Sequence, residues 1–318
     1  MTVAPNLAPA HRILGPKARV DVSLAPYCTY RVGGDAALWV EAQTVGDLQL
    51  VRQAAAEVDC PVLVVGKGSN LLVADAGFGG IVVHLGDDFA QITVDEHEPL
   101  VTAGGAALLP VVARKTAAAG LTGFEWAVGV PGSIGGAVRM NAGGHGSDMA
   151  ASLVSAGVFD LRSDNPAEGV RPWSLDDLQL GYRVSAIRPW QIVVDARLRL
   201  APGDRTESEA EISEIVRWRR ANQPGGQNAG SVFANPDGDS AGRLIDSLGL
   251  KGHRVGTASV SEKHANFIQA DPDGSADDVY RLILDVKRRV LAETGIELHP
   301  ENKLIGFESI APTEVGCQ

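Results

Sequence analysis

The 318-residue chain lacks several features that define common protein classes. Its three cysteines, Cys28, Cys60 and Cys317, are odd in number and far apart, which fits neither a disulfide framework nor a thiolate metal site. Its formal net charge of −11, without a basic patch, argues against nucleic acid as a partner. No apolar run approaches the ~20 residues of a membrane span, and no signal-peptide pattern opens the chain. We therefore expect a cytoplasmic, monomeric protein with no metal, nucleic-acid or membrane partner.

Apolar patterning predicts a mixed α/β protein of about two domains. The predicted strands are 62–65, 81–85, 100–103, 155–160 and 191–200, the last with apolar residues at every second position. The predicted helices are 44–58 with Thr44 as its cap, 110–119, 207–222, and one that begins after the cap Ser275 and buries Val279, Leu282, Ile283, Val286 and Val290. A domain boundary is expected between Leu200 and the loop at Asn222. The first dozen and last eight residues are interpreted as disordered or docking tails.

The segment from Trp126 to Gly144 contains six glycines, one proline and a single charge, Arg139. A long regular helix is excluded, because glycine there costs ~1 kcal/mol and proline ~3 kcal/mol relative to alanine. The segment is also too apolar for a solvated linker. Bare backbone of this kind suits a wall where main-chain amides bind the phosphates of a large ligand.

A second glycine cluster, residues 64–73, follows an apolar run that is typical of a strand. Gly66 and Gly68 fit the start of a Rossmann signature, but Leu71 occupies the third glycine position and no helix start follows. Two anion-binding loops without that signature indicate a dinucleotide or another pyrophosphate-containing cofactor. The alternative is that both loops are ordinary tight turns of a glycine-rich α/β protein.

Three polar segments, 180–187, 228–236 and 298–306, offer an arginine, a serine and a glutamate. Each has a structural alternative to a functional role. Arg183 could pair with a surface carboxylate, Ser231 could be a turn serine, and Glu301 could cap a strand end.

The order of these segments closely resembles the UDP-N-acetylenolpyruvoylglucosamine reductase family over nearly the whole chain, from about Thr29 to Gly306. Any one match is weak, whereas all of them in order leave little room for coincidence. The matching stretches are Thr29–Gly34, Gly66–Val73, Gly129–Ala137, Asn141–Gly143, Gly181–Ser185, Ala229–Pro236, Ala241–Asp246, Gly249–Gly252, Val260–Ile268 and Pro300–Glu301.

The resemblance implies an FAD-binding domain of the vanillyl-alcohol-oxidase type, made of two α/β subdomains, and an α/β substrate-binding domain. The implied bounds are 14–90 and 91–222 for the two subdomains, 223–300 for the substrate domain, and 301–318 for a C-terminal segment returning to the active site and first subdomain. The short connection from Arg183 to Ser231 resembles the compact subclass that lacks an extra lid loop.

The resemblance also implies an activity: non-covalent FAD, reduced by NADPH, passes hydride to the enolpyruvyl ether of UDP-N-acetylglucosamine-enolpyruvate, giving UDP-N-acetylmuramate for peptidoglycan. Arg183 and Glu301 match the pair that stabilises the enolic intermediate, and Ser231 matches the proton donor. The implied FAD-binding residues are Arg31, Gly33, Gly34, Gly66, Gly68, Ser69, Asn70, Val130, Pro131, Gly132, Ser133, Gly135, Gly136 and Ala137. The implied substrate-binding residues are Asn141, Tyr182, Asn235, Lys263 and His264.

The chain departs from the family pattern in three places. Ala234 stands where a lysine is common, so Lys251 or Lys263 is expected to substitute for it, and His145 stands where a tyrosine is common. Pro-Glu-Asn-Lys, at 300–303, replaces the more usual Glu-Val-Arg. Two other functions stay open at this point: another flavin-dependent oxidase or dehydrogenase of the superfamily, and a non-catalytic nucleotide-sugar sensor with the same fold.

Overall fold

The computed structural model describes residues 3–165 and 167–308, so the predictions for residues 309–318, including the C-terminal tail and Cys317, lie outside the described residues. The α-helices are α1 (Ala8–Leu14), α2 (Val45–Val58), α3 (Leu109–Ala118), α4 (Ile134–Met140), α5 (Leu175–Leu178), α6 (Arg205–Asn222), α7 (Ala241–Ser247) and α8 (Ala276–Thr294). The strands are β1 (Ala18–Ser23), β2 (Asp35–Ala42), β3 (Val62–Val65), β4 (Leu71–Val73), β5 (Phe78–Leu85), β6 (Ile92–Val94), β7 (Leu100–Gly104), β8 (Leu121–Thr122), β9 (Gly143–Gly144), β10 (Ser147–Asp148), β11 (Leu153–Asp160), β12 (Arg171–Ser174), β13 (Gln191–Arg199), β14 (Ala201–Pro202), β15 (Arg254–Val255), β16 (Ala258–Val260), β17 (Ile268–Ala270) and β18 (Lys303–Ile305).

The predicted helices and strands are confirmed to within a few residues at each end. Helix α2 begins after Thr44, whose hydroxyl accepts the amide of Asp47 at 3.2 Å while the Asp47 carboxylate accepts the amide of Thr44 at 2.9 Å. This reciprocal pair satisfies two amides that a helix start leaves unpaired. Helix α8 begins after Ser275 and buries all five predicted apolar residues of its stripe.

The chain divides into two compact units. The first comprises the described residues up to Val22, Ala37–Lys67 and Gly79–Ala221, and the second comprises Ser23–Ala36, Gly68–Phe78 and the described residues from Asn222 onwards. The sequence-based bounds of the subdomains stay a prediction.

The first unit contains two main sheets. One has the order β1-β2-β5-β3 with β3 parallel to β5, and the other is antiparallel with the order β12-β11-β13-β7-β6. The alternating residues of β13 are buried as predicted, but Val193 on the other face is buried too. The N-terminal residues form a docked helix, since Leu7, Ala10 and Leu14 on or beside α1 lie in the core.

The second unit is built around α8. Its stripe packs with α7, the antiparallel sheet β15-β16-β17 and residues from the segments 23–36 and 68–78. Strand β18 pairs in parallel with β4, so the chain returns after α8 to the glycine cluster, with Lys303 opposite Leu71. This pairing brings the segment around Glu301 beside the loop that ends at Asn70.

The glycine-rich segment folds as a 3₁₀ turn, Glu125–Gly129, followed by the seven-residue helix α4. Ser133 caps α4, and Asn141 ends it in the left-handed conformation with φ of 38°. The segment that was predicted to present bare main-chain amides to a ligand therefore contains a short helix. The second glycine cluster leads into β4 and not into a helix, which confirms the exclusion of a Rossmann motif.

Within the described ranges, no helix combines the length and the apolar character that crossing a membrane requires. Nor do the described residues contain a group of three or more histidine, cysteine or acidic side chains that could hold a metal ion.

Candidate active site

In the second unit, the loop that leads into β4 is closely packed against the segment 23–36. Gly68 has a φ of +62°, and a Cβ there would overlap the backbone of Tyr27 and Cys28. A Cβ on Gly34 would likewise overlap the backbone of Asp75 and Gly77. Only glycine fits both positions. Packing also buries Cys28, which raises the pKa of its thiol to about 12 and leaves it an inert thiol.

The backbone around this loop leaves hydrogen-bond donors available. The amides of residues 68–70 donate to no other residue in the described part of the chain. Gly33 is fixed in an unusual conformation, with φ of +118° beside the Val73 carbonyl, and Arg31 has a φ of +58° with its guanidinium on the Pro26 carbonyl at 2.7 Å. Consecutive unpaired amides of this kind form an anion-binding cradle.

In the first unit, the loop before α4 shows the same property. The amides of Ile134 and Gly135 donate to the carbonyls of Ala107 and Gly105, whereas those of Gly132 and Ser133 donate to no described residue. Gly66 packs against this loop, since a Cβ there would lie 2.6 Å from Ser133 Oγ. The remaining predicted flavin residues, Val130, Pro131, Gly136 and Ala137, continue the loop into α4, where Ala137 is buried.

Arg183 lies at the tip of a tight turn in the first unit, with a φ of +55°. Its guanidinium donates to the Gly143 carbonyl at 2.9 Å and to the Asn141 carbonyl at 3.5 Å, and its charge lies 5.2 Å from the ring centroid of Tyr182. Tyr182 itself is 68% exposed. The turn therefore presents Arg183 and Tyr182 together, beside the hairpin of β9 and β10.

Asn141 holds that turn in place. It is buried, and its amide donates to the Gly181 carbonyl at 3.0 Å and to the Asp148 carboxylate at 3.1 Å, while its Oδ1 accepts the Ala150 amide at 3.0 Å. Every hydrogen-bonding group of the side chain is thus engaged within the protein. Asn141 thus fixes the turn that carries Arg183. Its contact with the substrate stays a prediction.

Ser231 and Glu301 come together within the second unit, although they are far apart in sequence. The Glu301 amide donates to the Val232 carbonyl at 2.8 Å, and Phe233 pairs with Pro300 in an isolated antiparallel bridge. The preceding Gly230 has a φ of +77°, which turns the chain at Ser231. Ser231 is exposed and Glu301 is half-buried, so both side chains remain accessible for chemistry.

Of the predicted substrate residues in this unit, Asn235 and Lys263 are exposed and His264 is half-buried. Asn235 Oδ1 accepts a hydrogen bond from the first amide of α7 at 3.1 Å, so this contact uses the oxygen of the side chain and not its NH2 group. His264 Nδ1 accepts the Asn266 amide at 3.2 Å, and burial, with the nearby Lys251 charge, lowers the pKa of His264. A neutral His264 therefore carries its proton on Nε2.

Lys251, one of the two lysines expected to compensate for Ala234, forms an ion pair with Asp246 at 2.7 Å. Its charge is thus already balanced by a carboxylate. His145 packs edge-on against Trp218 with ring centroids 5.2 Å apart, and burial, with the nearby Arg219 charge, lowers its pKa. A Cβ on Gly129 would lie 2.7 Å from the His145 ring, so this neutral imidazole contacts the start of the loop that precedes α4.

Two buried asparagines beside Ser231 and Glu301 were not predicted. Asn266 binds both the amide and the carbonyl of Phe233, at 3.0 and 2.9 Å, and Asn302 follows Glu301 directly. Asn266 lies in one of the matched stretches, but its role depends on a partner 33 residues away, for which the sequence carries no local signal.

Comparison with known families gives two matching family models and several similar proteins. The sequence profile of the UDP-N-acetylenolpyruvoylglucosamine reductase C-terminal domain matches residues 222–305, and that of an FAD binding domain matches residues 36–162. The UDP-N-acetylenolpyruvoylglucosamine reductase of Synechococcus sp. (strain WH7803) is 42% identical over 291 residues, which cover 91% of this chain and 93% of that protein. The protein of the same name from Paramagnetospirillum magneticum (strain ATCC 700264 / AMB-1) is 42% identical over 288 residues, covering 90% and 91%.

A solved structure agrees with these sequence relationships. The UDP-N-acetylenolpyruvylglucosamine reductase of Thermus caldophilus superposes with a TM-score of 0.77 at 37% identity, covering 91% of this chain and 99% of that one. Together with the matched FAD-binding profile, it confirms the predicted mixed α/β fold with an FAD-binding domain.

Proposed function

This chain belongs to the UDP-N-acetylenolpyruvoylglucosamine reductase family, and on that basis we propose that it reduces UDP-N-acetylglucosamine-enolpyruvate to UDP-N-acetylmuramate. It is an FAD-dependent oxidoreductase with NADPH as hydride donor and a small-molecule substrate. The observation that carries the proposal is about 40% identity to reductases over nine-tenths of the chain, with Arg183, Ser231 and Glu301 all present. We further propose a cytoplasmic monomer that serves peptidoglycan synthesis, and thereby cell shape and division.

The chain has groups that fit FAD. Unpaired amides at 68–70 and at 132–133 can bind the oxygens of a pyrophosphate, and the glycines beside them leave no room for side chains. We propose that FAD is held without a covalent bond by Arg31, Gly33, Gly34, Gly66, Gly68, Ser69, Asn70, Val130, Pro131, Gly132, Ser133, Gly135, Gly136 and Ala137. When bound, FAD takes hydride from NADPH and supplies it to the terminal carbon of the enolpyruvyl ether.

Arg183 is proposed to bind the carboxylate of the enolpyruvyl group. Addition of hydride to the terminal carbon places negative charge on the neighbouring carbon, where the carboxylate delocalises it. A planar guanidinium can bind that carboxylate through two parallel hydrogen bonds, which strengthen as charge develops. The carbonyls of Gly143 and Asn141 hold the guanidinium in place before the charge appears.

Ser231 is proposed to donate the proton that completes the reaction, with Glu301 beside it stabilising the enolic form. A serine hydroxyl is a weak acid, so its transfer depends on a strongly basic carbanion and on accurate placement. The Gly230 turn and the hydrogen bond from the Glu301 amide to the Val232 carbonyl restrict the segment on both sides of the serine. Tyr182, Asn235, Lys263 and His264 are proposed to contact the substrate.

The two half-reactions provide the test. Purified protein is expected to be yellow, to release its colour on acid precipitation, and to bleach with NADPH in the absence of oxygen. Adding UDP-N-acetylglucosamine-enolpyruvate should then restore the absorbance rapidly, with UDP-N-acetylmuramate detected by mass spectrometry. A reduced protein that oxygen reoxidises but the enolpyruvyl substrate does not would contradict the proposal.

A further inference from the structure

Asn302 is a buried side chain in the second unit, directly after Glu301, and is only 4% exposed. Its amide donates to Asn70 Oδ1 at 3.0 Å and to the Ala229 carbonyl at 3.3 Å. Ala229 lies two residues before Ser231, and Asn70 ends the loop whose free amides begin at Gly68. The NH2 group of Asn302 therefore links the segment that carries Ser231 (residues 229–232) to the loop at residues 68–70, which we call the flavin loop.

Asn70 binds the chain on either side of Asn302. The side-chain NH2 of Asn70 donates to the Glu301 carbonyl at 3.1 Å, and the backbone carbonyl of Asn70 accepts the Lys303 amide at 2.9 Å. The Glu301 amide in turn donates to the Val232 carbonyl. The peptide of Glu301 is thus held at both of its ends, by Val232 and by Asn70, and Asn302 fixes the orientation of the Asn70 amide that makes the second contact.

Asn302 keeps one polar atom of its buried side chain unsatisfied. Its Oδ1 is buried and accepts no hydrogen bond from the described residues, an arrangement that typically costs about 1–3 kcal/mol. An apolar side chain here would bury no such oxygen, but it would leave Asn70 Oδ1 and the Ala229 carbonyl without the donor that Asn302 supplies. A position that keeps an unsatisfied polar group is expected to have a functional reason for it.

We infer that Asn302 is a positioning residue for the proton-transfer step, because it sets the Glu301 carboxyl and the Ser231 segment relative to the flavin loop through Asn70 and Ala229. The inference rests on the proposed function, in which Ser231 and Glu301 touch the substrate. It predicts that changes at Asn302 affect the second half-reaction while leaving the first almost unaltered.

The variant Asn302→Asp tests this, because it keeps the shape of the side chain but, when ionised, replaces the donor with an acceptor facing Asn70 Oδ1. In stopped-flow measurements, bleaching by NADPH should stay within about twofold of the wild type. Reoxidation at saturating substrate should slow by about 10- to 100-fold, since small misplacements of reacting groups have effects of that order. Asn302→Leu, which removes the donor without adding an acceptor, should show the same slowing, and it serves if the aspartate variant does not fold.

A second measurement needs no turnover. Titration of apoprotein with FAD should give a Kd raised by about 3- to 10-fold in Asn302→Asp, the ratio that corresponds to one net hydrogen bond. Leu282→Ala, in the buried stripe of α8, is the control for lost stability alone and should leave both half-reactions per bound flavin unchanged.

Wild-type protein that the enolpyruvyl substrate fails to reoxidise would refute the proposed function, whereas an unchanged Kd for FAD in Asn302→Asp would refute the link from Asn302 to the loop at 68–70 on its own. If the wild type is reoxidised and both Asn302 variants match its rate at saturating substrate, Asn302 has no positioning role. Equal slowing in Leu282→Ala would overturn the inference as well, because lost stability would then explain the effect.

Discussion

The guanidinium of Arg183 donates a 2.9 Å hydrogen bond to the carbonyl of Gly143, so an arginine 40 residues further along the chain is held against the hairpin that follows α4. The turn that carries it is fixed in return by Asn141, whose amide binds the Gly181 carbonyl at 3.0 Å. These reciprocal contacts orient the guanidinium in advance. Preorganised charge of this kind stabilises a transition state without the reorganisation that a mobile side chain requires.

Arg183→Lys is expected to slow reoxidation of the reduced enzyme at saturating substrate. Lysine keeps the charge but has no planar fork for a carboxylate and cannot reach two carbonyls in the same way. Stopped-flow rates and steady-state kcat and KM measure the effect, with Arg188→Lys, an exposed residue of the same segment, as the matched control. A raised KM with unchanged kcat would show that Arg183 binds the substrate equally well in the ground state and in the transition state, and does not stabilise the transition state further.

Ser231→Ala is expected to leave bleaching by NADPH nearly unchanged and to slow the second half-reaction by ~10²–10⁴-fold, the usual effect of removing a positioned acid. Ser247→Ala is the control, because Ser247 lies in the same unit and its hydroxyl only caps a carbonyl of α7. Exchange of solvent deuterium into the product gives an independent measure of proton delivery. A wild-type rate of reoxidation in Ser231→Ala would remove the serine from the mechanism.

Local patterns predicted most of the fold. The stripe and cap of α8 follow from residues three and four apart, and the start of α2 follows from Thr44 and Asp47, so no distant partner is needed. The short helix α4 was not predicted, because glycines at 135 and 136 have low helix propensity. Packing against β13 and the Ser133 cap outweigh that preference.

The candidate site residues were predicted through resemblance, whereas the hydrogen bonds that support them were not. Asn302 binds Asn70 across 232 residues and Asn141 binds Gly181 across 40 residues. No pattern of residue spacing in the sequence predicts such pairs. The ion pair of Lys251 with Asp246 was likewise not predicted, and a role for Lys251 or Lys263 in place of the lysine missing at Ala234 stays a prediction. Hydrogen bonds between distant segments depend on the finished fold, and composition alone does not reveal them.

The stability of the second unit is expected to depend on Asp285 in a defined pH range. Burial opposes ionisation of Asp285, but hydrogen bonds from Arg288, Arg289 and His253 prevail and lower its pKa to about 2. Since the folded pKa lies below the unfolded value of about 3.9, the carboxylate stabilises the fold above that value and loses its contribution as the pH falls towards 2. Asp285→Asn should therefore lower the melting temperature at pH 7 and make little difference near pH 2.

Thermal unfolding at several pH values checks this expectation, with Asp246→Asn as the control. Asp246 is half exposed, and among the described residues its ion-pair partner is Lys251, so its replacement should have a smaller effect at every pH. A destabilisation by Asp285→Asn that is equally large at pH 7 and near pH 2 would mean that lost packing, and not lost charge, is responsible.

Gly66→Ala is expected to weaken FAD binding by disturbing the loop before α4. The new Cβ would lie 2.6 Å from Ser133 Oγ, and overpacking of this kind typically costs about 1–3 kcal/mol, equivalent to roughly 5- to 150-fold in Kd if the loop yields. Gly79→Ala is the matched control, because a Cβ there meets no atom within 4 Å. Apoprotein titrated with FAD, followed by quenching of flavin fluorescence, gives the constants. The double variant Gly66→Ala with Ser133→Ala removes the overlapping oxygen, so its Kd for FAD should equal that of Ser133→Ala alone. If the Kd of the double variant stays as high as that of Gly66→Ala, the overlap with Ser133 Oγ does not cause the weaker binding.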